Sequence, residues 1–205
     1  MITGLLILIS APSGAGKTSL VEAALQQDAN LVVSVSHTTR EKRPQEQEGV
    51  NYFFVSPESF QAMVDAGDFL EHAVVFGNHY GTSAKAVQDL RATGRDVILE
   101  IDWQGADQVR EVVADALSIF ILPPSEAVLQ ERLNRRGQDS AETIARRLSE
   151  AQLDMQQASR YQYIIVNDDF QQATKDLLAI CHAHRLTAEQ QMRASPAVQS
   201  ILSAG

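Results

Sequence analysis

Short apolar runs recur along the chain and are separated by stretches with helical periodicity. The runs at 5–9, 96–101, 117–122 and 162–166 each have the length of one β-strand. Their apolarity is continuous rather than alternating, which is typical of strands buried on both faces of a parallel sheet. The pattern therefore predicts an α/β fold with a core formed by a parallel β-sheet flanked by helices.

Helical periodicity predicts a helix after each of these strands. The predicted helices cover 18–27, 103–114, about 139–160, where the sequence DSAE forms a capping box, and about 170–192. The residues beyond 192 are expected to fray.

Two insertions interrupt this alternation. Residues 34–85 are polar at first and then carry an aromatic, strand-like stretch at 51–55 and a predicted hairpin over 69–82, with its turn near Gly77-Asn78. Residues 125–150 are helical and rich in arginine. One insertion of mixed β character and one helical insertion predict two lobes that move over a single cleft.

The composition fits one domain with small insertions. The chain has 205 residues, of which 44% are hydrophobic, so it can bury a sizeable core. Its net charge of -9 argues against general nucleic-acid binding, although clustered arginines can still bind phosphate. The one cysteine, Cys181, permits no disulfide within the chain, and the first apolar run is too short for a signal peptide or a membrane span. We therefore expect a soluble, cytoplasmic protein.

A glycine-rich loop connects the first predicted strand to the first predicted helix. The sequence SAPSGAGKT at 10–18 has the strand–loop–helix context of a P-loop, with Ala11 where the usual pattern has its first glycine. In such a loop the backbone N–H groups bind phosphates, the lysine contacts the β- and γ-phosphates, and the threonine hydroxyl binds Mg²⁺. The predicted nucleotide-binding residues are Ser10, Ala11, Pro12, Ser13, Gly14, Ala15, Gly16, Lys17 and Thr18.

A carboxylate follows the predicted strand at 96–101. An apolar strand that ends in an acidic residue resembles the strand of P-loop enzymes that binds Mg²⁺ directly or through water. Asp102 is therefore a candidate metal-binding residue together with Thr18.

The first insertion carries residues suited to a second phosphate and to a base. Arg40 and Arg43 lie among hydroxyl residues, Tyr52 and Tyr80 follow them, and arginine binds a phosphate monoester through two parallel hydrogen bonds. Glu71 interrupts the apolar stretch FLEHAVVF, which favours a position facing a cleft. A carboxylate there can accept two parallel N–H bonds from guanine, whereas adenine offers no such pair.

These segments closely resemble the bacterial guanylate kinase family. The resemblance covers about residues 4–185 and rests on SAPSGAGKT, SVSHTTREKRP, NYFFV, FLEHAVVFGNHYGTS, VILEIDWQG, IFILPPS, RLNRRGQDS and IVNDD, in this order. The parts that it implies are a P-loop core (1–34, 86–125 and 151–190), a GMP-binding domain (35–85) and a lid (126–150), with 191–205 as a C-terminal tail.

The resemblance also implies roles for individual residues. The implied guanine-binding residues are Ser36, Glu71 and Thr82, with Asp102 near both the base and the metal. The implied ligands of the GMP phosphate are Arg40, Arg43, Tyr52 and Tyr80. The implied catalytic residues are Lys17 and the lid arginines Arg132, Arg136 and Arg147, which close on the phosphates of ATP, and Asn167 is implied to lie near the adenine.

The implied reaction transfers a phosphoryl group from ATP to GMP, and also to dGMP, with Mg²⁺ as cofactor. The acceptor oxygen is already ionised at neutral pH, so alignment and charge neutralisation would suffice for catalysis. The implied partners are nucleotides, with neither nucleic acid nor membrane among them, and a homo-oligomer is left open.

Two alternatives are an inactive, peptide-binding relative and a kinase for another nucleoside monophosphate. The retained Lys17 and lid arginines argue against the first, and Ser36 and Glu71 argue against the second.

Overall fold

The computed structural model describes residues 3–135 and 141–203. Its strands are β1 (Leu6–Ser10), β2 (Leu31–Val33), β3 (His37–Thr38), β4 (Phe53–Phe54), β5 (Phe69–Val75), β6 (Asn78–Ser83), β7 (Asp96–Glu100), β8 (Leu117–Leu122) and β9 (Tyr163–Val166). Its helices are α1 (Lys17–Gln27), α2 (Pro57–Ala66), α3 (Ala84–Ala92), α4 (Trp103–Val112), α5 (Glu126–Arg135), α6 (Ala141–Gln156), α7 (Phe170–Arg185), α8 (Ala188–Ala194) and α9 (Pro196–Ser203).

A five-stranded parallel sheet of order β2-β7-β1-β8-β9 forms the core. The predicted burial on both faces holds for β1, β7 and β8 but is wrong for β9, an edge strand with three of its four side chains exposed. Alternate residues of β1 face opposite sides of the sheet. Ile7 and Ile9 pack in one buried cluster with Leu20 of α1 and Leu177 of α7. Leu6 and Leu8 belong to a second cluster, which includes side chains of α3 and α4. The predicted helix–sheet–helix layering is therefore confirmed.

A second sheet, of order β4-β3-β6-β5, is formed within the first insertion. Its main unit is the predicted hairpin, in which β5 and β6 are antiparallel. The turn is Phe76–Gly77, one residue earlier than predicted, and both residues have positive φ (51° and 76°). Such φ values suit the two-residue turns whose twist matches that of the flanking strands. Its strands carry three of the residues that the resemblance assigns to GMP, namely Glu71, Tyr80 and Thr82.

The predicted single helix over 170–192 is wrong. The helix α7 ends at Arg185, and the Thr187 side chain accepts a hydrogen bond from the Gln190 N–H, so it caps a new helix, α8. The expected fraying beyond 192 is also wrong, because α9 begins with Pro196 at its first position, where the missing proline N–H costs nothing. An ion pair between Arg193 and Asp115, at 2.5 Å, fixes α8 to the core.

The predicted helix over 139–160 corresponds to α6 followed by a 3₁₀ turn at Gln157–Arg160. Its proposed capping residue, Asp139, lies outside the described residues. Within 3–135 and 141–203, no helix combines the length and apolarity needed to cross a bilayer.

Candidate functional site

The glycine-rich loop joins the C-terminal end of β1 to the N-terminus of α1. Ser10 ends the strand, while Lys17 and Thr18 begin the helix, so the predicted loop has the predicted context. Gly14 and Gly16 have φ values of 92° and 93°, which side chains other than glycine rarely tolerate. These glycines direct the loop around the helix N-terminus, where backbone N–H groups are free to bind an anion.

Asn167 and Arg132 both donate hydrogen bonds to the backbone of this loop. The Asn167 side-chain amide is buried and donates to the carbonyl of Ala15 at 2.7 Å. The Arg132 guanidinium donates to the carbonyls of Asn167 (3.1 Å) and Ala15 (3.4 Å). A Cβ at Gly16 would lie 2.4 Å from Asn167 Nδ2, so the contact also requires glycine there. Both predicted residues therefore contact the loop backbone itself.

Arg147, in the predicted lid at 126–150, contacts the glycine-rich loop. Arg147 in α6 donates to the Ser13 hydroxyl at 3.0 Å, which brings the predicted lid against the predicted phosphate loop. The third predicted lid arginine, Arg136, lies outside the described residues.

The Thr18 hydroxyl donates to Glu100 Oε2 at 2.9 Å. Glu100 ends β7 and pairs in register with Ile9, the residue before Ser10, so its side chain lies beside the loop. The sequence pointed instead to Asp102, whose Oδ1 caps α4 by accepting from the Gly105 N–H at 2.9 Å. Thr18 thus contacts Glu100, a carboxylate that the sequence did not single out, while the metal role of Asp102 stays a prediction.

The three side chains assigned to guanine form a connected hydrogen-bond chain. Ser36 Oγ lies 3.3 Å from Thr82 Oγ1, and the Thr82 hydroxyl donates to Glu71 Oε1 at 2.5 Å. Glu71 is only 4% exposed although it is a carboxylic acid. Burial above all raises the pKa of Glu71 to about 7; the Asp102 carboxylate adds to the rise, while Thr82 and Lys17 oppose it. Near neutral pH this acid is therefore poised between its two protonation states.

The residues assigned to the GMP phosphate gather around Tyr80 of β6, two residues before Thr82 on the same strand. The Arg40 guanidinium lies 5.5 Å from the centre of the Tyr52 ring, and the Tyr52 and Tyr80 rings are 5.8 Å apart. Burial by itself lowers the pKa of Arg40, but Glu46 and Tyr80 outweigh it and raise this pKa above its ordinary value. Arg40, Tyr52 and Tyr80 are thus brought together as predicted.

Glu46 is a partner of this arginine that the sequence did not reveal. Its carboxylate accepts from Arg40 at 2.6 Å and from the Arg43 backbone N–H at 2.8 Å. The Arg40 bond and, to a smaller extent, the charge of Arg43 lower the pKa of Glu46. Glu46 therefore holds both arginine positions in place and balances their charge.

Lys17 links the two halves of the site electrostatically. Its charge acts on Glu71 of β5 and also on Asp154 of α6. Burial, followed by the neighbouring Asp102 and Glu150, raises the pKa of Asp154 to about 6. Asp154 was not singled out in the sequence, where its only signal is helical spacing from Glu150. Lys17 of the loop is therefore close enough to lower the pKa of both Glu71 and Asp154.

The oxygen atoms beside the loop suit a small divalent cation. Thr18 Oγ1 and the Glu100 carboxylate are adjacent and lie towards solvent, and such oxygen ligands are those that Mg²⁺ prefers. Among the described residues no group of three or more His, Cys, Asp or Glu side chains forms a complete metal site. A cation here would therefore need ligands from water and nucleotide, which is usual for Mg²⁺.

Comparisons with known proteins agree with this geometry. A family model described as guanylate kinase matches residues 3–184. A guanylate kinase of Hahella chejuensis is 56% identical over 204 residues, covering 99% of this chain and 98% of that protein. A second, of Alkalilimnicola ehrlichii, is 58% identical over 188 residues, covering 92% and 93%.

A solved structure extends the comparison to three dimensions. The guanylate kinase of Anaplasma phagocytophilum superposes with a TM-score of 0.80 at 32% identity, over 98% of this chain and 95% of that one. The resemblance inferred from the motifs is therefore confirmed by sequence and by fold. The chain belongs to the guanylate kinase family.

Proposed function

We propose that this protein phosphorylates GMP with ATP, giving GDP and ADP by direct transfer of the γ-phosphoryl group. Membership of the family supports the reaction. The observation that carries the choice of base is Glu71, a buried carboxylate that accepts from the Thr82 hydroxyl at the end of the Thr82–Ser36 chain. A carboxylate held in this way accepts N1–H and the exocyclic amine of guanine together, and it finds no matching pair on adenine.

Binding of the two phosphate groups is divided between the two insertions and the core. We assign the ATP phosphates to the loop 10–18 with Lys17, and the GMP phosphate to Arg40, Arg43, Tyr52 and Tyr80. The contact of Arg147 with Ser13 supports a role for the lid next to the transferring phosphoryl group. The acceptor is an ionised phosphate oxygen, so these cations align the reactants and neutralise charge, and no side chain has to remove a proton.

The metal-binding residues proposed here are Thr18 and Glu100. When bound, Mg²⁺ would supply positive charge that offsets the charge developing on the phosphates of ATP. Thr18 would supply its hydroxyl oxygen, and Glu100 would hold the ion or its waters in register with the loop. Asp102 remains a proposed residue of the base side, at the N-terminus of α4.

Three further features belong to the proposal. We expect dGMP to be accepted because the assigned contacts are to the base and the phosphate. The segments 35–85 and 126–150 are proposed to close on the core and exclude water, since ATP would otherwise be hydrolysed. The substrates place the protein in purine nucleotide metabolism, and a cytoplasmic location fits them.

A coupled assay of ADP release tests this function. Saturating ATP and Mg²⁺ are combined with GMP, dGMP, AMP, UMP or CMP at equal concentration. The proposal predicts rapid release with GMP, measurable release with dGMP, and release near background with the other three. Release that is equal with AMP would contradict the assignment of Glu71, and no release with any acceptor would favour an inactive binding domain instead.

A further inference from the structure

Gly105 lies in the first turn of α4, directly against the carboxylate of Glu71. A Cβ built on Gly105 would be 2.4 Å from Glu71 Oε2 and 3.0 Å from Glu71 Cδ. The first distance is far shorter than any ordinary contact of a side-chain carbon, so one of the two groups would have to move. The position therefore accepts glycine alone while Glu71 stays where it is.

The backbone conformation at position 105 does not require glycine. Gly105 lies within α4, and it is not among the glycines with positive φ, so its conformation is open to any residue. Glycine is also the least favourable residue after proline inside a helix. A glycine at a helical position with ordinary dihedral angles fits close approach by a neighbouring group, and here that group is Glu71.

Neither the Glu71 side chain nor helix α4 can easily move away from this contact. Glu71 Oε1 is held by the Thr82 hydroxyl at 2.5 Å, and the side chain is buried. On the other side, Gln108 binds the backbone of His72, the residue after Glu71, through both His72 N–H (3.0 Å) and His72 C=O (2.8 Å). These two bonds fix the spacing between α4 and β5 one turn beyond Gly105.

Gly105 also touches the second residue assigned to the base. Its backbone N–H donates to Asp102 Oδ1 at 2.9 Å, so one peptide unit orients Asp102 while its missing side chain makes room for Glu71. The two carboxylates interact, because Asp102 raises the pKa of Glu71. Gly105 thus contacts both acids at the proposed base site.

We propose that Gly105 is a positioning residue for guanine specificity, which allows the Glu71 carboxylate to lie against α4 at the depth needed to accept two N–H bonds. The inference rests on the proposed role of Glu71 in binding guanine. An added methyl group would displace the carboxylate and spoil the paired geometry, while the ATP side of the cleft would be unaffected.

Steady-state kinetics of Gly105→Ala test the proposal. We expect KM for GMP to rise about 10- to 100-fold, the range for loss of a hydrogen bond to a charged group, with KM for ATP within about twofold of the parent protein. IMP lacks the exocyclic amine, so its KM should rise less than that of GMP. The matched control is Glu111→Ala, an exposed position on the same helix, which should leave both KM values unchanged.

Shortening the acid gives a rescue experiment. Glu71→Asp withdraws the carboxylate by one methylene and should weaken GMP binding in the parent protein. In the Gly105→Ala background the same change relieves the clash, so the double variant should bind GMP at least as well as Gly105→Ala alone. This non-additivity identifies contact between the two positions, which a general loss of helix integrity would not produce.

The outcomes separate this inference from the function on which it rests. If Glu71→Gln leaves KM for GMP unchanged, the proposed role of Glu71 fails. If Glu71→Gln raises KM but folded Gly105→Ala does not, the positioning role of Gly105 is overturned while the function stands. If Gly105→Ala fails to fold, folding restored in Gly105→Ala/Glu71→Asp supports the contact, and a double variant that also fails to fold overturns it.

Discussion

The hydroxyl of Thr18 donates to the carboxylate of Glu100 across the end of the parallel sheet, at 2.9 Å. The contact joins the first turn of α1 to the last residue of β7, and it follows from the pairing of Glu100 with Ile9. The two oxygen atoms proposed to bind Mg²⁺ are therefore adjacent before any nucleotide binds.

Replacement of this carboxylate should alter the magnesium requirement. In Glu100→Gln the side chain keeps its size and loses its charge, so the Mg²⁺ concentration for half-maximal rate should rise about 10- to 100-fold, the usual cost of losing a group that orients a metal site. The measurement is a Mg²⁺ titration at saturating ATP and GMP. Asp102→Asn is the informative comparison: a larger shift there than in Glu100→Gln would return the metal role to Asp102.

Loss of the loop lysine should abolish turnover without unfolding the protein. Lys17→Ala removes a cation at the first turn of α1, and removal of a group that neutralises the transferring phosphoryl costs about 10³-fold or more in rate. The rate is measured by ADP release and the fold by thermal unfolding, with exposed Lys175→Ala as control. Turnover near that of the parent protein would refute the assignment of the loop.

Binding of GMP should weaken as the pH falls below about 7. The pKa of Glu71 lies near 7 in the empty site, and only the carboxylate form can accept two N–H bonds. KM for GMP should then rise by up to tenfold per pH unit below 7, whereas KM for ATP should not follow. Glu71→Gln serves as the control, because any pH dependence that it retains belongs to the phosphate of GMP, which titrates near pH 6.

The raised pKa of Glu71 also makes the stability of the folded protein depend on pH. Between pH 4.5, the ordinary pKa of a glutamic acid, and about 7, the native protein holds a proton on Glu71 that the unfolded chain releases. Relative to Glu71→Gln, the empty protein should therefore lose stability as the pH rises through this interval. Parallel slopes for the two proteins in this range would show that the acid is not buried as described.

The stability of the core should depend on a buried ion pair far from the cleft. Asp96 is 2% exposed; its carboxylate accepts from the Leu5 N–H at 2.8 Å and from Arg185 Nε at 2.6 Å, so it joins β7, β1 and α7. Arg185 also pairs with Asp28 at 2.6 Å, so Asp96→Asn removes one of the two carboxylates that face the guanidinium. Loss of this charged hydrogen-bond partner should cost about 2 kcal/mol.

Urea unfolding measures this cost. The comparison is Asp89→Asn, which breaks the exposed Lys85–Asp89 pair and should cost less than about 1 kcal/mol. Equal losses in the two variants would contradict the structural role of Asp96.

The parallel core and the phosphate loop were predictable because both depend on local sequence. Continuous apolar runs mark β1, β7, β8 and β9, and SAPSGAGKT identifies the loop. The short strands β2 and β3 carry no such signal, since two or three residues form a strand only through pairing with neighbours already in place. The break before α8 had a usable signal, a threonine suited to cap a helix, but apolar periodicity outweighed it.

The residues of the candidate site also fall into those that the sequence could reveal and those that it could not. Glu71 and Arg40 were recognisable because a charge in an apolar strand, or an arginine among hydroxyls, is unusual in its local setting. Glu100 and Gly105 were not, because their roles arise from contacts across the fold. The strand register brings Glu100 to Thr18, and the packing of α4 on β5 brings Gly105 to Glu71. Glu100 and Asp102 lie at the end of the same apolar run, and the sequence alone does not show which of them contacts Thr18.

Selectivity between GMP and AMP should differ sharply between the parent protein and Glu71→Gln. The ratio of kcat/KM for the two acceptors should be large in the parent protein. It should fall by about 100-fold or more in the variant, because the amide presents a donor where guanine needs an acceptor. A ratio that is the same in both proteins would contradict the claim that Glu71 selects guanine.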